Sequence, residues 1–252
     1  MISRLERFVA AAFVVVIAAP ATAQQPDAPP PPPPPKMWTT TAGFGLALTS
    51  GNADSSTFNA NYNVVYDPKA RNIVKSEGLY IRGQTDGELS ADRLSISVRD
   101  ELRLDTRAYV FGQNQYLRDS FKEIDYLLAP TAGGGYKFFD TDRTRLSVDA
   151  GIGGVWEKNP GFDVRASGAV TMDEKFSRTL STTATLTQSL GALWKFKDFG
   201  DALYQVGTGV AVATSSRTQI KLEALSTYKT RPPTADIEKN DVSLLIAFVF
   251  KS

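Results

Sequence analysis

The chain has 252 residues, with 28 Lys and Arg against 27 Asp and Glu, so its formal net charge is +1 and it offers no large field for steering nucleic acid or an anionic substrate. It contains no Cys, which excludes a disulfide framework and the lipid attachment of a lipoprotein, and no His, which removes the usual base for a serine nucleophile. Mean hydropathy is slightly negative and no later run approaches 18 uninterrupted apolar residues, so helices are not the means by which this chain would cross a bilayer.

In chain order, "MISRLERFVAAAFVVVIAAPATAQ" places Arg4 and Arg7 before an apolar run from Phe8 to Ala19, followed by Ala21-Thr22-Ala23 in the small-x-small form that a signal peptidase cuts. Residues 1–23 therefore read as a secretory signal peptide cleaved near Ala23. Residues 24–36 read as a Pro-rich periplasmic linker: "PDAPPPPPPP", 26 to 35, holds eight prolines and predicts a semi-rigid polyproline II rod. The simple role is a spacer; the sharper one is a tether to a periplasmic or cell-wall partner. The folded unit is expected over 37–252.

From Trp38 onward one pattern recurs, and it predicts twelve strands at about 38–49, 55–66, 72–84, 91–104, 106–117, 125–139, 143–157, 162–173, 178–190, 201–214, 218–230 and 241–251. In "SSTFNANYNVVYD", 55 to 67, Phe58, Ala60, Tyr62, Val64 and Tyr66 share one side and Thr57, Asn59, Asn61 and Asn63 the other. A soluble sheet would bury the aromatics; a membrane barrel turns them to lipid and the asparagines inward. Length argues for the barrel, because strands of soluble proteins usually have five or six residues, whereas twelve tilted residues span roughly 28 Å, close to the apolar thickness of a bilayer. Connections alternate between tight ("DPKAR" at 67, "DTD" at 140, "SSR" at 215) and longer ("RDSFKEID" at 118, "KFKDFGD" at 195, "RPPTADIEKN" at 231), as in an up-and-down barrel with short periplasmic turns. Trp38, Tyr66, Tyr116, Tyr126, Phe138, Trp156, Trp194, Tyr204, Tyr228 and Phe250 fall near strand ends, where an aromatic girdle belongs. The expected fold is all-β: an antiparallel up-and-down transmembrane β-barrel of about 12 strands in the bacterial outer membrane.

With the asparagines inside, the expected lumen lining is Asn59, Asn61, Asn63, Arg93, Arg99, Glu101, Arg103, Arg145, Asp149, Glu157, Arg165, Asp173, Glu223 and Lys229. Both signs are present, so the charges are most simply paired ones that plug and stiffen the barrel; the alternative is a selectivity lining for small hydrophilic solutes or ions. No catalytic, cofactor or metal residues are expected. Asp140 and Asp142 read as a tight turn, "TSGNADSS" and "TDGELSAD" lack the spacing of a calcium loop, and Gly133 to Gly135 sit in a strand where they allow close packing rather than cradle phosphate. Expected partners are outer-membrane lipids and the barrel-assembly machinery, with no nucleic acid, and the barrel is expected to be a monomer.

"GLALTSGNADSSTFN", "YVFGQNQYLRDSFKEID", "GGGYKFFDTDRTRLSVDAGIGGVWEK" and "YKTRPPTADIEKNDVSLLIAFVF" together make the chain, from about residue 42 to 250, resemble the salt-induced outer-membrane proteins, a bacterial group of β-barrels known mostly as a domain of unknown function. The resemblance implies an outer-membrane barrel and no assigned reaction; the expected role is in envelope integrity or salt and osmotic response. Such barrels typically end on an aromatic residue read during assembly. Here the row through Phe248 and Phe250 resembles that signal, but Lys251 and Ser252 follow it.

Overall fold

The computed structural model describes residues 36–49, 55–234 and 237–251; the expected signal peptide, nearly all of the expected Pro-rich linker and most of "TSGNADSS" lie outside them. Twelve strands follow one another among these residues: β1 (Trp38–Thr49), β2 (Ser55–Tyr66), β3 (Asn72–Thr85), β4 (Glu88–Arg103), β5 (Ala108–Asp119), β6 (Ile124–Asp140), β7 (Thr144–Lys158), β8 (Arg165–Thr179), β9 (Ala184–Lys195), β10 (Asp198–Ala213), β11 (Thr218–Lys229) and β12 (Asn240–Lys251). Each pairs antiparallel with its chain neighbours, and β1 meets β12 to close the barrel. Closure removes the sheet edges that a bilayer could not hydrogen-bond.

The two faces separate as the period of two requires. Phe44, Leu46, Phe58, Ile152, Leu222, Leu244 and Ile246 are exposed on the outer wall, while Asn59, Arg99, Glu101, Asp149 and Glu157 are buried within. Call the end at which β1 begins and β12 finishes the terminal end, and the other the loop end. The predicted girdle residues all alternate with the inward rows and form two belts: Trp38, Tyr66, Phe138 and Phe250 toward the terminal end, and Tyr116, Tyr126, Trp156, Trp194, Tyr204 and Tyr228 toward the loop end. Trp38 packs on Tyr66 with ring centroids 4.5 Å apart, and Trp194 Nε1 donates to the Tyr204 hydroxyl at 3.0 Å. An apolar band between two aromatic belts is the outer surface that a bilayer accepts.

Several strand limits differ from those expected. The eighth strand runs on to Thr179 and the ninth begins only at Ala184, because Ser181 Oγ accepts from the backbone N–H of Thr183 and Ala184 and fixes the turn there. Between β3 and β4 the gap shrinks to Asp86 and Gly87, both at positive φ (53° and 82°), the geometry of a two-residue hairpin that favours Asp-Gly. "KFKDFGD", expected to be a longer loop, is also tight: only Phe196 and Lys197 separate β9 from β10. The longer connections of the loop end are therefore fewer than expected.

One ladder is unlike the rest. β1 and β12 share four register pairs, from Thr41 with Lys251 to Phe44 with Phe248, all in the terminal half, while each of the other ladders has eleven or more. Phe248 and Phe250 thus sit in the paired half of the seam. In the other half, Asn59 reaches from β2 across Gly45 and donates to the Ile246 carbonyl at 3.3 Å; a Cβ on Gly45 would lie 1.9 Å from that oxygen.

Candidate functional site

The inward rows divide the interior into a charged wall, a cavity and a stopper. The wall lies on β3 to β7 in the terminal half. Arg99 donates from Nε to Glu101 at 2.8 Å, from Nη2 to Asp149 Oδ2 at 2.8 Å and from Nη1 to Gln113 at 2.9 Å, and its guanidinium lies 3.7 Å from the Phe111 ring centroid. Lys75 donates to the second Glu101 oxygen at 2.7 Å, and the Tyr109 hydroxyl to Asp149 at 3.0 Å. Room for these rings comes from glycine on the facing strands: a Cβ on Gly135 would lie 2.3 Å from Tyr109 and one on Gly151 3.1 Å from Phe111. The three-glycine run in β6 thus serves packing.

The stopper fills the loop end. Leu117, Ile124, Leu127, Ala129, Val155, Ala169, Leu193 and Leu203 form a buried apolar cluster inside the barrel. Around it Glu157, only 2 % exposed, accepts from both Lys195 and Lys229, and from Asn159 at 3.3 Å; Lys195 also pairs with Asp201 at 2.7 Å. Arg93 donates to Thr227 and lies 3.8 Å from Asp119. Asp119 in turn caps the short 3-10 turn Ser120–Lys122, accepting from the N–H of Phe121 and Lys122 at 3.1 and 3.2 Å. That turn drives Lys122 inward, to 0 % exposure, where it donates to the Glu238 carbonyl at 2.6 Å and pairs with Asp241 at 2.9 Å. Asn159 ties the β7–β8 connection to the Glu123 carbonyl at 2.6 Å. Three connections are thereby fastened over the end of the lumen. Among the described residues each charged side chain of the stopper has a partner, as a low-dielectric interior demands, while Arg93 Nε is left without a hydrogen bond.

Between wall and stopper lies a cavity of about 500 Å³, bounded by Leu117, Leu127, Leu193 and Leu203 under the stopper and reaching Thr41, Thr185 and Lys251 at the terminal end. Asn61, Asn63, Asp173 and Glu223 line it; Lys221 pairs with Glu223 at 2.9 Å, and Lys175 meets Glu77 across the lumen at 3.3 Å.

Of the lining residues read from the sequence, Asn59 is buried at the β1–β12 seam, Arg93, Arg99, Glu101, Asp149, Glu157 and Lys229 are buried in wall or stopper, and Asn61, Asn63, Asp173 and Glu223 face the cavity. Arg103 stands at the terminal rim. Arg145 and Arg165 are corrected: both are exposed at the ends of strands, not enclosed. A register shift between Lys137 and Phe139 carries Arg145 to the rim opposite Asp140, 3.9 Å away, and the first residue of β8, Arg165, turns to lie 5.3 Å from the Phe162 ring centroid. Lys75, Tyr109, Asp119, Lys122 and Lys195 were not read from the sequence. For Lys75 and Lys195 strand alternation was the available signal; for Lys122 it was the Asp119 cap. No group of three His, Cys, Asp or Glu residues able to hold a metal occurs among the described residues.

The terminal rim is fastened differently. Asp67, after β2, accepts from the Lys69 N–H at 2.9 Å, from Lys69 Nζ at 3.1 Å and from Arg103 Nη2 at 2.7 Å. Burial alone would raise its carboxyl, but the Arg103 and Lys69 hydrogen bonds outweigh that and hold it at about 2, below the ordinary 3.8. Its contribution is complete above pH 3.8 and fades as pH falls toward 2. Asp67→Asn is expected to lower stability by about 1 kcal/mol or less at neutral pH, since Lys69 reaches it from solvent, and to lose part of the acid limb. Urea titrations of both proteins at pH 7 and pH 2 check this; an equal gap at both pH values would contradict it.

A closed, twelve-stranded antiparallel barrel with an apolar outer wall and a polar, charge-paired interior is an outer-membrane-type β-barrel. The chain belongs to the family described as "Protein of unknown function, DUF481", whose model matches residues 42–251. That match carries the family and makes no reference to salt induction. No curated protein matches the chain. Among solved structures it is similar to the COG4313 outer membrane channel from Pseudomonas putida F1 (12% identity, 85% of this chain and 95% of that one, TM-score 0.49) and the NanC porin (8%, 84% and 97%, 0.47). It is also similar to the translocator domain of the autotransporter NalP from Neisseria meningitidis (12%, 84% and 86%, 0.45).

Proposed function

We propose that the chain is a non-enzymatic barrel of the bacterial outer membrane that supports envelope integrity under salt or osmotic load, with a lumen sealed at the loop end. In this reading the loop end faces outward, the exported chain loses its leader near Ala23, the assembly machinery reads the Phe248–Phe250 row, and the Pro-rich segment spaces the monomeric barrel from the cell wall. The observation that carries the sealed lumen is the buried Glu157, Lys195 and Lys229 group over the apolar cluster, fastened by Lys122. The salt and osmotic role leans on the family resemblance.

Planar-bilayer recording of the refolded chain at high salt tests the seal: no conductance steps are expected from folded protein. A gene deletion should slow growth on raised salt, and unchanged growth would remove the stress role. The second reading, a narrow passive channel for small hydrophilic solutes, is favoured by the cavity and would be supported by discrete steps. Because the chain has no Cys, Thr187→Cys in the cavity wall gives a background-free probe. A membrane-impermeant thiol reagent is expected to label it from the terminal side and not from the loop side. Labelling from both sides would favour the channel.

A further inference from the structure

The cavity is asymmetric in a way that selects an occupant. It is hollowed out against β8, β9 and β10, where Gly191, Gly207 and Gly209 hold inward positions with no side chain. On that wall Asp173, Gly191 and Gln205 form one row across the three strands. A Cβ on Gly191 would lie 3.1 Å from Asp173 Oδ1, so glycine there leaves the carboxylate facing open space.

Charge accounting singles out the same residue. In the terminal half of the lumen the carboxylates Glu77, Glu101, Asp149, Asp173 and Glu223 stand with the cations Lys75, Arg99, Lys175 and Lys221, and Lys251 lies at the terminal mouth of the cavity. Lys75 and Arg99 are engaged by Glu101 and Asp149, Lys175 by Glu77 and Lys221 by Glu223. Among the described residues Asp173 has no ion pair within 4.0 Å. Its oxygens make no ion pair or hydrogen bond among the described residues, which leaves them open to a donor from a ligand. Gln205 beside it, with Ser189 and Thr187 one and two inward rows toward the terminal end, offers amide and hydroxyl groups matched to a hydroxylated ligand. The volume, about 500 Å³, lies in the range of small-molecule sites.

We propose that this cavity is a binding site for a small hydroxylated monocation, a protonated amino sugar or amino alcohol, with its ammonium on Asp173 and its hydroxyls on Gln205, Ser189 and Thr187. Entry from the terminal end rests on the sealed-lumen reading above; the binding itself does not.

The test is calorimetry on the full chain refolded in detergent, with glucosamine, glucose and N-acetylglucosamine as probes. Glucosamine is expected to bind at least about tenfold tighter than the two neutral sugars. Asp173→Asn should bring it to their level without changing them, and Gly191→Leu, which fills the space beside the carboxylate, should weaken all three. Equal affinity for glucosamine and glucose, preference retained in Asp173→Asn, or no heat from any probe at millimolar concentration would overturn the proposal. So would displacement of glucosamine by potassium at equal concentration, which would mark an inorganic cation site. Heat-modifiable migration of each variant confirms folding, and removal of a carboxylate that makes no ion pair should not harm it. Conductance steps would sink the seal yet leave the glucosamine preference measurable, so the two ideas fail separately.

Discussion

Glu157→Ala is expected to destabilise the barrel by about 3–5 kcal/mol and to open its loop end, the first effect read by urea unfolding in detergent and the second by the appearance of bilayer conductance. The size follows from what is left behind. Lys195 keeps Asp201, but Lys229, 3 % exposed, loses its carboxylate and stays enclosed with no countercharge. Asn159 also loses the Glu157 oxygen and keeps only the Glu123 carbonyl, so its side chain is held by one bond in place of two. Glu157→Gln should fall between the parent and the alanine variant, since it preserves shape and one acceptor but not the charge. Unchanged unfolding in Glu157→Ala would show that the stopper is held by its apolar cluster alone.

Arg99→Ala is expected to cost a similar 3–5 kcal/mol, because Asp149 is then buried with only the Tyr109 hydroxyl to offset it. Glu101 suffers less, as Lys75 remains. Arg99→Lys preserves the charge but not the planar group that reaches Glu101, Gln113 and Asp149 at once while stacked on Phe111, so it should recover only part of the loss. The discriminating experiment is the double variant Arg99→Ala/Asp149→Ala. If the pair is the unit of stability, removing both should be less harmful than the sum of the single losses; strict additivity would mean that Arg99 acts through its packing on Phe111.

Much of this architecture was legible because a barrel wall is a period-two object. The alternation of Phe58 with Asn59 and of Val148 with Asp149 separates outside from inside without reference to any partner, and strand length separates a bilayer wall from a soluble sheet. Boundaries failed where turns are set by single residues. Asp86-Gly87 carried a hairpin signal hidden inside "TDGELSAD", and Ser181 placed a turn in the Ser- and Thr-rich stretch 177–187, where alternation continues on both sides. Rim positions failed for a related reason: Arg145 and Arg165 have plausible parity, but parity says nothing about whether a strand end is enclosed. Least legible were the partners themselves. Arg93 meets Thr227 and Lys122 meets Glu238 across the lumen, far apart along the chain, and only closure of the barrel brings them together.

The seam between β1 and β12 gives the cylinder a mechanical grain. Parting any other two strands means breaking eleven or more register pairs, whereas along this line there are four, with the Asn59 hydrogen bond beyond them. Under lateral tension the wall is expected to part first in the loop-end half of that line, beyond the pairing of Phe44 with Phe248. The stopper just inside, with Lys122 gripping Asp241 at the start of β12, holds that edge in place. In the sealed-lumen reading, closing the loop end and bracing the weakest line of the wall fall to the same side chains.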